Sequence, residues 1–451
     1  MFHARKSDTR GYKLSKYVSK VFETESSVFS EWFGYYNYDP LSPDKSKMLC
    51  NRSSFDGCSP KAGDSIELGY YDIPQGIWHH IDYSDSWNWQ QGAMLQWIPG
   101  EENVGKVIYN CSKDGRLVSC IHDIEKGFSR YIDWPVYCLT PDGKKSISID
   151  IERSYWCRAY HYQSVVNPHK DGRVYGEDGV FEIDLLENTR KRIISIEQII
   201  NLDYRPFFDQ KKHWIEHIMI NPSGTRFCFL HRFSSVDNVL NYQTRLMVAD
   251  IDGNNLCCVK GWDKVRWSHF GWCGDDTFTI YSYFPSKGDN DISIKELFSS
   301  RLNAVYSIPH IIWYKIVNHL PKRLRKMLGG EYSLYQMYAV NDGVVQLVSE
   351  INTKETRLDG HPSFTRDSKY MVTDTYADRH SWQNLYVYNR ITNKTTNLAR
   401  FYAYYHNKPS SCDLHPKLSH DNRIIIVDSA YNKKHHMIML EVDWNKISSN
   451  E

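Results

Sequence analysis

Charge of one sign is the first thing this chain lacks. Its 451 residues carry 55 Lys and Arg against 54 Asp and Glu, a formal net charge of +1. A coat for nucleic acid, or any protein held to its partner by bulk electrostatics, needs a surplus, so that class is excluded. Long apolar runs are missing too. No stretch approaches the roughly 18 residues of a membrane-spanning helix. Residues 1–30 are polar and lack the apolar core of a signal peptide, so a cytoplasmic location is expected. The 11 cysteines are odd in number, scattered and never spaced C-x-x-C. That argues against a disulfide framework and a zinc ribbon, and for reduced, buried thiols. The patterns G-x-x-x-x-G-K-[ST], G-x-G-x-x-G and G-x-S-x-G are all absent, which removes the P-loop, the dinucleotide fingerprint and the nucleophile elbow.

What the chain does have is aromatic rings, at 14%, including 32 Tyr and 14 Trp. Flat rings pack well on pleated strands, and they also stack on the apolar faces of sugars. One unit recurs along the chain: a short strand, a tight turn, then an apolar strand. It reads LSPDKSKMLC at 41–50, LTPDGKKSISI at 139–149 and INPSGTRFCFL at 220–230. Weaker copies are WCGDDTFTI at 272–280, FTRDSKYMV at 364–372 and LSHDNRIII at 418–426, with a degenerate one at 94–100. Asp-Gly, Ser-Gly and Asp-Asn tolerate the positive φ that a hairpin turn demands. Second hairpins follow near 246–255 and 385–394. Two hairpins make a four-stranded blade, so the repeat predicts an all-β, seven-bladed β-propeller. The expected organisation is a polar segment at 1–30 and one propeller over 31–451, with a helical insertion at 285–330.

The insertion's helical part, about 292–328, spaces Ile308, Ile311, Ile312, Ile316, Leu320, Leu324 and Leu328 on one side. Lys315, Lys322, Arg323, Arg325 and Lys326 give it a basic side, and Pro309 and Pro321 break it into pieces. It reads either as a surface for a membrane or protein partner or as a helix packed on its own propeller.

Histidine placement carries the chemistry. HWIEH at 213–217 matches the inverted zinc-protease pattern. Here, however, it runs into a strand and turn of the repeat, where the i, i+4 geometry is lost. More informative is phase. His217, His269, His361 and His415 each stand three to six residues ahead of the turn in four consecutive units. Equivalent positions in successive blades converge on a propeller's axis, so four imidazoles are expected at one end of the channel. Hydrogen-bonded caps on blade strands are the plainer alternative. Asp413 and His415, two apart on an expected strand, would share a side. With His361 they form a His/His/carboxylate set suited to a divalent cation such as Mn²⁺.

These residues bring a resemblance. The segments at 214–217, 229–231, 245–253 and 268–270 are similar to the middle blades of oligogalacturonate lyases. The sequences GHPS at 360–363 and DLHP at 413–416 are similar to their metal-binding blades. The resemblance covers roughly residues 210–430. It implies a seven-bladed propeller that cleaves uronate-containing oligosaccharides by β-elimination with a Mn²⁺-type ion. It further implies that His269 is the proton-abstracting base, that Arg245 neutralises the substrate carboxylate, and that His361 and His415 ligate the metal. Asp413 stands where the family has another His, and Ser410 where it has a Gln. His217, His231, Arg232, Tyr376 and Arg400 are candidates for sugar or carboxylate contacts. The expected partner is an acidic oligosaccharide or polysaccharide. Two other readings stay open: a non-catalytic propeller that organises partners in a cell-surface polysaccharide pathway, and a glycoside hydrolase using paired carboxylates among Asp374, Asp378 and Asp413.

Overall fold

The repeated turn has a physical cause that the computed structural model makes explicit. In four copies the second residue is Ser or Thr and the fourth is Asp. The hydroxyls of Ser42, Thr140, Thr365 and Ser419 donate to Asp44, Asp142, Asp367 and Asp421 at 2.5, 2.6, 2.6 and 2.8 Å. Each carboxylate also accepts the backbone N–H two residues on, from Ser46, Lys144, Lys369 and Arg423. Such local bonds close the turn before the strands pair. In five copies the fifth residue lies in the left-handed region: Lys45, Gly143, Gly224, Ser368 and Asn422, with φ of 59, 66, 75, 56 and 61°.

The structure describes residues 11–449 apart from 57, 158–161, 163–168, 286–331, 342 and 405–410. Seven sheets follow in chain order, six of four strands and one of five. We number them blades 1 to 7 from the strand Ser30–Trp32. The first strands are Ser30–Trp32, Gln96–Trp97, Cys138–Leu139, Lys211–Ile220, Arg266–Trp272, Ser363–Phe364 and Lys417–Leu418. First strands of neighbouring blades touch, as between blades 3 and 4, 5 and 6, and 6 and 7, which puts them at the axis. Burial falls outward. In blade 3 the second strand Lys145–Ile149 is buried from Ser146 onward, whereas the fourth, Thr189–Ser195, is exposed over its first four residues. All seven copies of the turn join a first strand to a second, so they gather at one end of the channel. The expected seven-bladed all-β fold is the fold observed. The expected helical insertion at 285–330 falls almost wholly outside the described residues.

The boundary at residue 30 needs correction. Tyr12–Leu14 pairs with Lys394–Tyr402 as a fifth strand of blade 6. Val18–Glu23 pairs with His436–Val442 as the outer strand of blade 7. The N-terminal segment therefore closes the ring. Its polar composition reflects an outer strand with one wet face: Val18 is buried while Ser19 to Val21 are exposed. All 11 cysteines are free thiols. Among the described residues no helix is long and apolar enough to cross a membrane.

At the turn end the channel opens into a cavity of about 640 Å³, lined in part by Tyr38, Asp39, Trp97, Met219 and His420. Burial pushes the Asp39 carboxyl up to about 6, against the N–H of Leu41 that it accepts at 2.9 Å.

Two outcomes follow from this architecture. Deleting residues 1–23 removes the strands that complete blades 6 and 7, so the thermal unfolding midpoint falls sharply; an unchanged midpoint would mean closure does not depend on them. The folded chain also holds the Asp39 proton more tightly than the unfolded chain does. Raising pH from below 4 through 6 therefore costs stability, on the order of 2 kcal/mol. Asp39→Asn escapes that loss, so its stability relative to the parent rises across the same window in denaturant unfolding.

Candidate metal centre

The chain comes to the axis in and beside each first strand, and there the histidines meet: His217 and His269 lie within theirs, His361 and His415 just before theirs. The ring centroids of His269 and His361 are 4.2 Å apart, and those of His361 and His415 are 4.3 Å apart. Blade 1 contributes Tyr35 and Tyr36 at the same phase. Tyr35 stacks on His217 at 4.9 Å and meets His415 edge-on at 5.2 Å. Tyr36 lies 5.1 Å from His361 and donates its hydroxyl to the Phe270 carbonyl at 2.6 Å. From blade 3, the Tyr137 hydroxyl lies 3.4 Å from His217 Nδ1. Side chains from five blades and the entry to blade 7 thus fill the channel end opposite the turns.

The expected strand through Asp413 and His415 is not there. Strand begins only at Lys417, and His415 sits at a φ of 43°. His217 likewise has a φ of 53° beside a bulge between Glu216 and Met219. These kinks aim side chains at the axis. The ligand atoms of His361, Asp413 and His415 nevertheless lie within 4.8 Å of one another.

Proton placement makes this a ligand set. His361 Nδ1 lies 2.9 and 3.1 Å from the two carboxylate oxygens of Asp374, which can only accept, so Nδ1 carries the hydrogen. Asp374 also accepts the His361 N–H at 2.7 Å and the His415 N–H at 3.3 Å. Gly360 is obligatory beside it, because a Cβ there would stand 2.0 Å from the Asp374 carbonyl oxygen. His415 Nδ1 donates to the Gly34 carbonyl at 3.0 Å. Both Nε2 atoms therefore present lone pairs, and both are buried with no hydrogen-bond partner among the described residues. An orphaned buried acceptor costs about 1–3 kcal/mol, so two of them beside a carboxylate fit a cation and do not fit dry packing. Imidazoles whose second nitrogen donates to a carboxylate or carbonyl are the usual form of metal-ligating histidine.

Electrostatics favour the neutral ring at His415 and the charged ring at His361, where a cation would have to displace a proton. Burial pushes the His415 imidazole well below its usual pKa, with His361 adding to the effect, so it is neutral. For His361 burial opposes the charged ring, but Asp374 outweighs it and the pKa rises. Asp374 is held low despite its burial by the same partner. Burial raises the Asp413 carboxyl to about 6, against the pull of His361.

His269 is set apart. Its Nδ1 lies 3.1 Å from the Asp359 carboxylate and 3.1 Å from the Ser268 hydroxyl. The Asp359 bond places the hydrogen on Nδ1 and leaves Nε2 as the basic atom. Burial lowers its pKa, with Asp359 opposing. Tyr376 joins this side, 5.9 Å from His269 and 5.7 Å from His361. His217 Nε2 lies 3.4 Å from Glu216, which also accepts from Trp214 at 2.5 Å and pairs with Arg232 at 3.3 Å. Arg232 is thus one carboxylate removed from the cluster.

Three of the sequence candidates sit elsewhere in blades 4 and 6. Arg245 is wholly buried in the third strand of blade 4, donating to the Ile199 carbonyl at 2.6 Å with Phe208 under its guanidinium at 5.2 Å. Its Nε and Nη1 are buried with no hydrogen-bond partner among the described residues. His231 is buried in the same blade, stacked on His213 at 5.1 Å with a 2.9 Å bond between their nitrogens. Arg400 lies on the fourth strand of blade 6, paired with Asp378 at 3.4 Å. Ser410 lies outside the described residues. Sequence reasoning missed Tyr35, Tyr36 and Asp359, and named Asp374 only as a possible hydrolase carboxylate. The aromatic pair had a signal: it precedes the turn at 41–50 as the histidines precede theirs.

The fold and cluster define a seven-bladed propeller with a candidate His/His/carboxylate centre on its axis. No protein-family profile matches the sequence, and no curated protein matches it significantly. Among solved structures it is similar over 96% of its length to an oligogalacturonate lyase in complex with manganese, with 15% identity, a TM-score of 0.61 and 96% of that chain covered. It is also similar over 96% of its length to an oligogalacturonate lyase from Vibrio parahaemolyticus, with 13% identity, a TM-score of 0.56 and 97% of that chain covered. At these identities the likeness establishes the shared propeller.

Replacing Asp374 with Asn removes the charge that orients His361. Divalent-cation affinity, measured by calorimetric titration with Mn²⁺, should fall tenfold or more. An unchanged affinity would show that His361 is not a ligand.

Proposed function

We propose that this protein is a divalent-cation-dependent lyase that cleaves uronate-containing oligosaccharides by β-elimination. The observation that carries the proposal is the pair of imidazole Nε2 lone pairs converging with Asp413 beside a third, carboxylate-oriented imidazole, His269. The similar manganese-bound oligogalacturonate lyase supports the substrate class.

The C5 proton of a uronate lies α to a carboxylate and is weakly acidic, so the charge that develops on its removal must be neutralised. His361, Asp413 and His415 would hold a divalent cation, which would supply that neutralisation as a Lewis acid. His269 Nε2 takes the C5 proton. Asp359 keeps the other nitrogen protonated throughout and favours the imidazolium that forms. The C5–H electrons become the C4=C5 double bond, the C4–O bond breaks, and the departing oxygen takes a proton from water. Tyr36 and Tyr35 close the channel beneath the sugar, so the substrate approaches from the side where His269 and Asp359 keep 13% and 18% of their side chains exposed.

The test is incubation with Mn²⁺ and a panel of uronate oligosaccharides, followed by ultraviolet absorbance of the unsaturated product. His269→Ala should lower the rate by about a hundredfold or more while Mn²⁺ binding persists. Absence of unsaturated product from every uronate offered, in a protein shown to bind the cation, would overturn the lyase reading.

A further inference from the structure

The metal centre is backed by a buried polar loop that joins blades 7 and 1, where the ring closes. Asp428, on the second strand of blade 7, accepts the N–H of Phe33 at 3.1 Å on one carboxylate oxygen and that of Gly34 at 3.1 Å on the other. Its second oxygen also accepts from Lys417 Nζ at 2.7 Å. Lys417 Nζ in turn donates to the His415 carbonyl at 3.0 Å. The Gly34 carbonyl accepts from His415 Nδ1 and completes the circuit.

His415 is therefore gripped twice, through its backbone oxygen by Lys417 and through its ring by Gly34. Both grips end on Asp428. The Lys417 and Asp428 side chains are 1% and 3% exposed. At Gly34 no other residue substitutes: φ is 126°, and a Cβ would stand 2.8 Å from the Gln91 backbone. The same backbone leads directly into Tyr35 and Tyr36, which meet His415 and His361. A buried ion pair of this kind adds little net stability over apolar packing, so stability alone does not account for it. Its bonds fix the orientation of one imidazole and the path of the blade 1 segment beside it.

We infer that Lys417 and Asp428 are positioning residues that aim His415 Nε2 at the cation, so that cation binding and closure of blade 7 on blade 1 are thermodynamically linked. This rests on the metal-centre reading above. A cation that binds only the closed ring stabilises closure, and a loosened clasp weakens cation binding by the same coupling.

The experiment is calorimetric titration of Mn²⁺ into the full chain, far below the unfolding midpoint, with Mn²⁺-induced shifts in that midpoint measured in parallel. The variants are Lys417→Met, Asp428→Asn and the double Lys417→Met/Asp428→Asn. The double leaves no uncompensated buried charge and is read if a single variant fails to fold. Ile132→Ala, in the apolar cluster of blades 2 and 3, is the control for general destabilisation. The clasp variants should bind Mn²⁺ tenfold or more weakly and lose most of the midpoint shift, while Ile132→Ala stays within about twofold. Clasp variants that bind like the parent, or an Ile132→Ala loss of equal size, would overturn the inference and leave the metal centre standing. A parent protein that binds no cation would overturn both.

Discussion

Seven sheets close into a ring only if their first strands meet at one axis, and every feature of the candidate site descends from that constraint. The residues in and beside the first strands have nowhere to go but the channel. Residues far apart in sequence are forced within a few ångströms: Gly34 against His415, Tyr36 against Phe270, His361 against His415. A channel end packed with apolar side chains would satisfy the same constraint. Here it is packed with imidazoles, tyrosines and carboxylates, and each buried polar atom then demands a partner. Asp374 supplies partners for His361 and His415 together. What it leaves over is two nitrogens facing a common point beside Asp413.

Two orphaned nitrogens converge with a carboxylate here, whereas His231 Nδ1, likewise buried without a partner, belongs to no such group among the described residues. His213 and His231 also stack, but their nitrogens bond to each other, and His213 bonds on to the Phe208 carbonyl. That pair reads as packing for blade 4, with Arg245 enclosed beside it. His436 bonds the Thr24 carbonyl and the Asn432 side chain and ties the N-terminal segment to blade 7. Buried imidazoles therefore occur here in two uses, and convergence on a carboxylate tells them apart where burial does not.

The fold was legible because each blade repeats a tight turn, in four of them a Ser/Thr-x-Asp turn, and a turn held by bonds within five residues writes itself into local sequence. The phased histidines were legible for a related reason: a fixed offset from a turn becomes a fixed place on the axis. What sequence could not show depended on contacts between blades. The third strand of blade 4 carries Arg245 inward because of its register with His231, and no local pattern records that register. Asp359 and Asp374 acquire their roles from histidines on other turns of the chain. The N-terminal strands looked like a tail because an outer strand with one wet face shows little apolar signal over six residues.

The central claim is that His361, Asp413 and His415 hold one divalent cation through the two Nε2 atoms and the carboxylate. Anomalous X-ray scattering from crystals grown with Mn²⁺ tests it most directly. The account predicts a single strong anomalous peak on the propeller axis, within bonding distance of all three side chains, with Asp374 and the Gly34 carbonyl still bonded to the Nδ1 atoms. A crystal without a peak there, or with His361 and His415 turned so that Nε2 faces protein, would contradict it.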